Sequence, residues 1–266
     1  MVTVTGSAGD DAAAAARSAQ AQELIDRAQA EDVLLTMLTA MDLCVLGGPR
    51  QVLFDEAPAK AYAGMPRRAR KNGPAVVLRE MEDRGLLIAQ APTAPLAAPG
   101  GEGGAGLAGY AFAPKLGLVM AARSRPTLAI SCELRNVPSR YPRLYGLGDE
   151  QEPLRAVVLE TPAAAPVEDF PNLKKAGPLG WFYRYDLVSR ASAADFLARW
   201  SLLPSQRHPD APRLVTLLRH DRGRLLSVQT LSVHSADGKT ARLLGAGEYD
   251  EAGLTGVMSG LFDPQM

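Results

Sequence analysis

The sequence is poor in the residues that most often carry chemistry. It has two cysteines, Cys44 and Cys132, and three histidines, His208, His220 and His234. Two cysteines so far apart suit neither a disulfide framework nor a thiolate metal site, so both are expected to be buried small hydrophobes in a reducing compartment. His208 falls in a proline-bearing loop. His220 and His234 fall near the ends of adjacent strands, where they could approach one another, but a metal site needs a third ligand and an oriented second shell. Asp221 follows His220 directly, and neighbours on a strand point to opposite faces. The H-E-x-x-H, P-loop and G-x-S-x-G patterns are absent. No residue is therefore assigned as catalytic, cofactor-binding or metal-ligating, and a non-enzymatic protein is expected.

Net charge is also missing. The 29 basic and 29 acidic residues cancel, and the pI is about 6.8. That argues against a broad basic surface made for nucleic acid. No stretch approaches the ~20 apolar residues that cross a bilayer, so no membrane association is expected. The first residues lack a basic n-region and carry Asp10 and Asp11, unlike a signal peptide, so a cytoplasmic location is expected.

What remains is an ordinary globular composition, 47% hydrophobic and 22% charged, enough for a sizeable core. The pattern points to an α+β fold: an antiparallel β-sheet meander with flanking helices and a winged-helix-like N-terminal region. Residues 1–20 read as a flexible tail, within which the Ala12 to Ala16 run can extend the next helix. Residues 21–126 read as a helical, winged-helix-like subdomain with a disordered Gly/Pro loop over 91–109. Residues 127–266 read as an antiparallel sheet plus helices. No long internal repeat is evident.

Apolar residues at three- and four-residue steps predict one helix from about Ala21 to Val45, stopped by Gly47-Gly48-Pro49. A short helix follows around Ala57 to Ala63, then a basic loop with Arg67, Arg68, Arg70 and Lys71. A helix from Pro74 to Arg84 comes next, with Gly85 as its C-cap. Leu86-Leu87-Ile88 and Tyr110-Ala111-Phe112 read as strands flanking the Gly/Pro loop. Gly101, Gly103 and Gly106 in that loop match G-x-G-x-x-G formally, but without the strand and helix that give the motif meaning. A helix from Pro114 to Ala122, a strand from Thr127 to Leu134 and a hairpin of Leu144 to Leu147 with Leu154 to Glu160 complete the middle of the chain.

Further on, Ser192 is expected to cap a helix to Leu203, with Phe196, Leu197, Trp200 and Leu203 on one face. The aromatic group Trp181, Phe182, Tyr183, Tyr185, Phe196 and Trp200 is either core or an interface. The C-terminal stretch reads as three strands: Leu214 to His220, one through His234, and one to about Gly245. A helix then opens at Asp250 or Glu251. Neither face of the middle strand is purely apolar, which suits a mixed surface or a bulge.

In a winged-helix reading, helix 74–84 is the recognition helix, residues 91–109 the wing tip, and Arg67, Arg68, Arg70, Lys71 and Arg79 contact phosphates. Against this stand the zero net charge and the acidic Glu80, Glu82 and Asp83 on the reading helix, which favour a solvated basic face.

Laid out in order, the chain from about Asp32 onward resembles the EspG family of actinobacterial type VII (ESX) secretion-associated chaperones. The matching pieces are an early helix from Val33 to Leu43 and the helix exit Arg84-Gly85-Leu86-Leu87. The Tyr110 to Leu118 segment also fits, with the Ala-Arg-Ser-Arg-Pro run of residues 122–126 and the strand after it. So do the late strand pair and Asp237-Gly238-Lys239 before the last helix. The Gly-rich loop and the Trp181 stretch depart from the family pattern. The resemblance implies a mixed α/β fold without catalysis or cofactor, and cytosolic binding of helical secreted clients. It carries over no individual binding residue. The alternative is a winged-helix DNA-binding regulator.

Overall fold

The computed structural model describes residues 8–90, 109–148, 154–164, 173–203, 208, 211–221 and 223–263. The formal glycine motif, the acidic loop 149–152 and most of the Gly/Pro loop lie outside them. The elements run α1 (Ala8–Arg27), β1 (Val33–Thr39), α2 (Ala40–Val45), α3 (Glu56–Ala63), α4 (Arg67–Asp83), β2 (Leu87–Ala89), β3 (Tyr110–Phe112), α5 (Pro114–Ser124), β4 (Leu128–Leu134), β5 (Arg143–Leu147) and β6 (Ala156–Ala163). There follow β7 (Phe182–Val188), α6 (Arg190–Leu202), β8 (Arg213–Asp221), β9 (Arg224–His234), β10 (Thr240–Leu243), β11 (Gly247–Asp250) and α7 (Glu251–Gly260). The fold is α+β. No described helix is long and apolar enough to cross a membrane.

Nine strands form one antiparallel sheet in the order β1-β7-β6-β5-β4-β8-β9-β10-β11, and β2 with β3 forms a separate hairpin. Helices lie on both faces, so the central strands are buried twice over. On β4, Leu128, Ile130 and Cys132 enter the core under α6 and α7, while Ala129 faces the core under α1, α2, α4 and α5. On β6, Val157 and Leu159 face the first of these cores, Ala156 and Val158 the second. Both cysteines are buried and free, and burial alone pushes the Cys44 thiol up to about 12.

The sheet has an internal repeat. The units β4-β5-β6-β7-α6 and β8-β9-β10-β11-α7 have the same order and lie symmetrically about the β4/β8 seam. The seam centres on the pair Ser131 and Thr216, so Ile130 and Val215 are equivalent, as are Cys132 and Leu217. Both helices open on a side-chain cap. Ser189 accepts from the Ser192 N–H at 3.0 Å, and Asp250 from the Gly253 N–H at 2.8 Å. Counted from these caps, the buried Ala193, Leu197 and Trp200 of α6 fall where Leu254, Met258 and Leu261 fall on α7. The likeness lies in topology and burial rather than in letters, which is why no repeat is legible in the sequence.

The largest departure from expectation is at the start. Residues 21–45 are not one helix, and Val33–Leu43 is not helical throughout: Val33–Thr39 is the edge strand β1, paired with β7. Its pattern of Leu, Met and Thr lacks alternation because a bulge interrupts the register between Leu34 and Thr36 and most of the strand is buried. Thr39 then caps α2 in a reciprocal capping box with Asp42. Upstream, α1 already starts at Ala8, through the Ala12 to Ala16 run.

Arg67 to Lys71 is not a loop but the first turns of α4, which carries Pro74 in its interior. The end of α4 follows expectation. Gly85 takes φ +68°, its N–H donates to the Glu82 carbonyl at 2.8 Å, and the Leu86 N–H donates to Met81 at 2.9 Å, a Schellman motif. The cap of α6 is Ser189 rather than Ser192, and the third C-terminal strand is followed by a fourth, β11. The order helix, helix, strand, strand is present over residues 56–112, but the long first helix of the winged-helix expectation is replaced by α1, β1 and α2.

A charged cluster is sealed between α5 and the sheet. The Arg123 guanidinium pairs with Glu160 and donates to Gln51 Oε1 at 2.6 Å and to Tyr145 and Tyr185 Oη at 3.2 Å each. Glu160 also accepts from Tyr185 at 2.9 Å and from Arg143 at 3.0 Å. Arg143 continues to Asp55, which accepts from Tyr183 Oη at 2.5 Å. Arg123 and Glu160 are fully buried. Burial works to lower the Arg123 pKa, but Glu160 and the two phenols outweigh it, so the guanidinium stays charged. The chain thereby ties residues 51–55 and the last turn of α5 to β5, β6 and β7.

Candidate protein-binding surface

The repeat makes one asymmetry stand out. On the β4 side of the seam, the face opposite α6 and α7 is covered by α1, α2, α4 and α5. On the β8 side, the described helices that pack on β9, β10 and β11 are α6 and α7, both from the other face. The face left open by the described helices carries Leu214, Thr216 and Leu218 of β8, with Val228, Thr230 and Ser232 opposite them on β9. Leu218 is half-buried at the margin of the neighbouring core, and the Thr216 and Thr230 hydroxyls are hydrogen-bonded at 3.1 Å.

Towards its turn the β8–β9 ribbon runs past the helices, and β9 is exposed from Arg224 through Thr230. The register shifts after Arg219, so Leu226 is an extra residue on β9 between the pairs His220 with Leu225 and Arg219 with Ser227. This is the bulge that the mixed sequence pattern allowed. Its physical effect is to break alternation and place two leucines in succession beside Val228. Leu225, Leu226 and Val228 are 48%, 61% and 57% exposed. The opposite side of the ribbon is polar, with Arg219, Ser227 and Gln229. Arg219 anchors the ribbon to the end of α7 by donating to the Leu261 carbonyl at 3.2 Å and the Asp263 carbonyl at 2.7 Å. The result is a supported ribbon with three neighbouring apolar side chains in water. Contiguous exposed apolar surface with a polar margin is the usual mark of a contact site.

The histidines do not converge. His220 pairs with Leu225 beside the turn, whereas His234 pairs with Arg242 at the far end of β9, about 30 Å away at the strand rise. The expectation that they approach one another fails because the two strands are antiparallel and long. His220 borders the apolar patch, and burial pushes its imidazole toward the neutral form. The aromatic group is mostly core: Phe182, Tyr183, Tyr185 and Trp200 are buried, with Trp181 and Phe196 packed at the core margins.

All five cations of the nucleic-acid reading, Arg67, Arg68, Arg70, Lys71 and Arg79, are exposed on α4. Four of them crowd the helix N-terminus, where the dipole disfavours positive charge, and Glu80, Glu82 and Asp83 sit at its C-terminal end. The leucine pair at the bulge was missed at the sequence level, although Leu225-Leu226 after Asp221-Arg222-Gly223 is the signal: on a regular strand adjacent apolar residues cannot both face one core. Comparison with family models, curated proteins and solved structures returned no match.

Proposed function

We propose that the protein is a non-catalytic, protein-binding chaperone of the kind implied by its resemblance to EspG-type secretion chaperones, acting in the cytosol on helical secreted clients. The observation that supports this reading is the exposed apolar triplet Leu225, Leu226 and Val228 on the uncovered side of the β8–β9 ribbon. A chaperone that keeps a helical client soluble has to offer apolar surface to the client's apolar stripe, and it gains from holding that surface on a rigid element. The ribbon, backed by α7 through Arg219, meets both needs.

The test is quantitative affinity capture from the host lysate with wild-type protein and the double variant Leu226→Asp, Val228→Asp. The circular dichroism and melting of the variant are checked first, since both side chains already face water. Small helical secreted-type proteins should be retained by the wild type and reduced at least about tenfold by two charges placed in the contact. Equal recovery by both proteins counts against the reading.

A DNA-binding regulator is the second reading, favoured by the exposed cations of α4. It requires salt-dependent binding to duplex DNA that disappears when Arg67, Arg68, Arg70 and Lys71 are replaced by Ala.

A further inference from the structure

In the first half of the repeat, α5 packs on β5 and β6, on the face opposite α6. The symmetry about the β4/β8 seam carries that position to β9 and β10, on the face that the described helices leave open. The ladders give the equivalent residues. Ala129 pairs with Tyr145 and Tyr145 with Val158, a row across β4, β5 and β6. With Ser131 equivalent to Thr216, the matching row across β8, β9 and the end of β10 is Leu214, Ser232 and Leu244. Leu214 pairs with Ser232, and the Leu244 N–H donates to the Ser232 carbonyl at 3.1 Å.

The two rows differ in burial. Ala129, Tyr145 and Val158 are fully buried, in one core with Leu116, Val119 and Met120 of α5. Leu214 and Ser232 are half-buried, and Leu244, the counterpart of Val158, is 84% exposed. Val233, Ala241 and Leu243 enter the core under α6 and α7, while His234 and Arg242 are exposed on the other face, so Leu244 continues the alternation onto that face. Where Tyr145 fills the space beneath α5, the short Ser232 leaves it empty between two leucines. An apolar side chain held in water, at a position whose counterpart is sealed under a helix, marks a contact left to a partner.

We propose that a partner protein completes this half of the sheet by laying an amphipathic α-helix over β9 and β10, in the place that α5 holds over β5 and β6. The apolar stripe of that helix covers Leu214 and Leu244 and sets one side chain over Ser232. Arg242 lies between His234 and Glu248 at the border of the row, which therefore carries both signs of charge. Burial of apolar surface, rather than charge pairing, carries the contact. A helix of the 11 residues of α5 spans about 16 Å, whereas Leu226 lies about 20 Å along β9 from Ser232. The site is thus separate from the apolar triplet and does not rest on the client reading.

The test uses full-length protein and two fluorescein-labelled, hydrocarbon-stapled peptides of about 14 residues and identical composition. One carries its leucines and alanines along a single helical face; the other has them scrambled. Stapling keeps both helical in water, where so short a helix is otherwise marginal. Binding is followed by anisotropy at low and moderate salt. The striped peptide should bind saturably, at least about tenfold more tightly than the scrambled one, and with little response to salt. Leu244→Asp should weaken it at least about tenfold, with Leu244→Ala intermediate. Leu244 already faces water, so both variants should keep the wild-type circular dichroism and melting. The Leu226→Asp, Val228→Asp ribbon variant should bind the striped peptide as the wild type does. The proposal is overturned by no saturable binding, by equal affinities for the two peptides, by indifference to Leu244→Asp, or by a loss confined to the ribbon variant.

Discussion

Removing either member of the sealed Arg123–Glu160 pair should be costly, and the structure ranks the two costs. Glu160→Gln leaves Arg123 fully buried with Gln51 and two phenols but no anion, while Arg143 keeps Asp55. An uncompensated buried charge of this kind costs about 3–5 kcal/mol. Arg123→Met leaves Glu160 with a second guanidinium, Arg143 at 3.0 Å, and with the Tyr185 hydroxyl at 2.9 Å. That variant loses the ion pair and the guanidinium's bonds to Gln51 and the two phenols but strands no charge, so its cost should stay nearer about 2–3 kcal/mol, with methionine filling most of the vacated volume. The double variant removes both charges together, so its cost should fall below the sum of the singles by at least about 1 kcal/mol. Urea unfolding at pH 7, with slope and midpoint fitted for each protein, measures all three. Arg123→Met at least as destabilising as Glu160→Gln, or strict additivity, would refute the assignment of Arg143 as the carboxylate's second partner.

Two more predictions rest on the same region. Burial holds the phenols of Tyr145, Tyr183 and Tyr185 above their ordinary range, with Glu160 or Asp55 adding to the effect and Arg123 or Arg143 opposing it. Each raised folded value stabilises the protein below the unfolded pKa near about 10, and that contribution is lost as pH rises through the folded value. Alkaline titration followed at 295 nm should therefore show these three of the seven tyrosines ionising only as the circular dichroism signal collapses. Gly146→Ala puts a β-carbon into the side chain of Leu154 and 3.1 Å from Leu128 Cβ. It should lower stability by about 1–3 kcal/mol, read from the urea midpoint.

Much of this fold is legible in the residues because local chemistry decides it. Gly85 after Arg84 ends α4 as its Schellman geometry requires, Asp250 caps α7, and β5 pairs with β6 as the hairpin expected of Leu144 to Leu147 with Leu154 to Glu160, although β6 runs on to Ala163. The failures share a cause. Strands buried on both faces show no alternation, so Val33 to Thr39 fits a helical period as well as a strand, and only pairing with Phe182 to Leu187 decides the matter. The run Arg67 to Lys71 looks like a loop because charge and Pro74 oppose a helix there, yet burial of Val77, Leu78 and Met81 carries α4 through both. At the candidate surface, Leu225, Leu226 and Val228 are plain in the sequence, but their exposure depends on how far α6 and α7 reach along the sheet. The histidine pairing failed for a similar reason: strand length and direction, set by partners, place His220 and His234 at opposite ends.

The pairing of β1 with β7 also bears on how the chain is made. β1 is synthesised early, but its one strand neighbour among the described residues lies about 150 residues downstream, and closing so long a loop is entropically slow. During elongation Val33, Leu35 and Leu38 have no sheet to enter until Val188 has left the ribosome, whereas β4, β5 and β6 pair with their neighbours at once. Assembly should thus begin in the middle of the chain and recruit its N-terminal strand late. A truncated chain ending before Phe182 should leave that strand open to proteases and to other nascent chains.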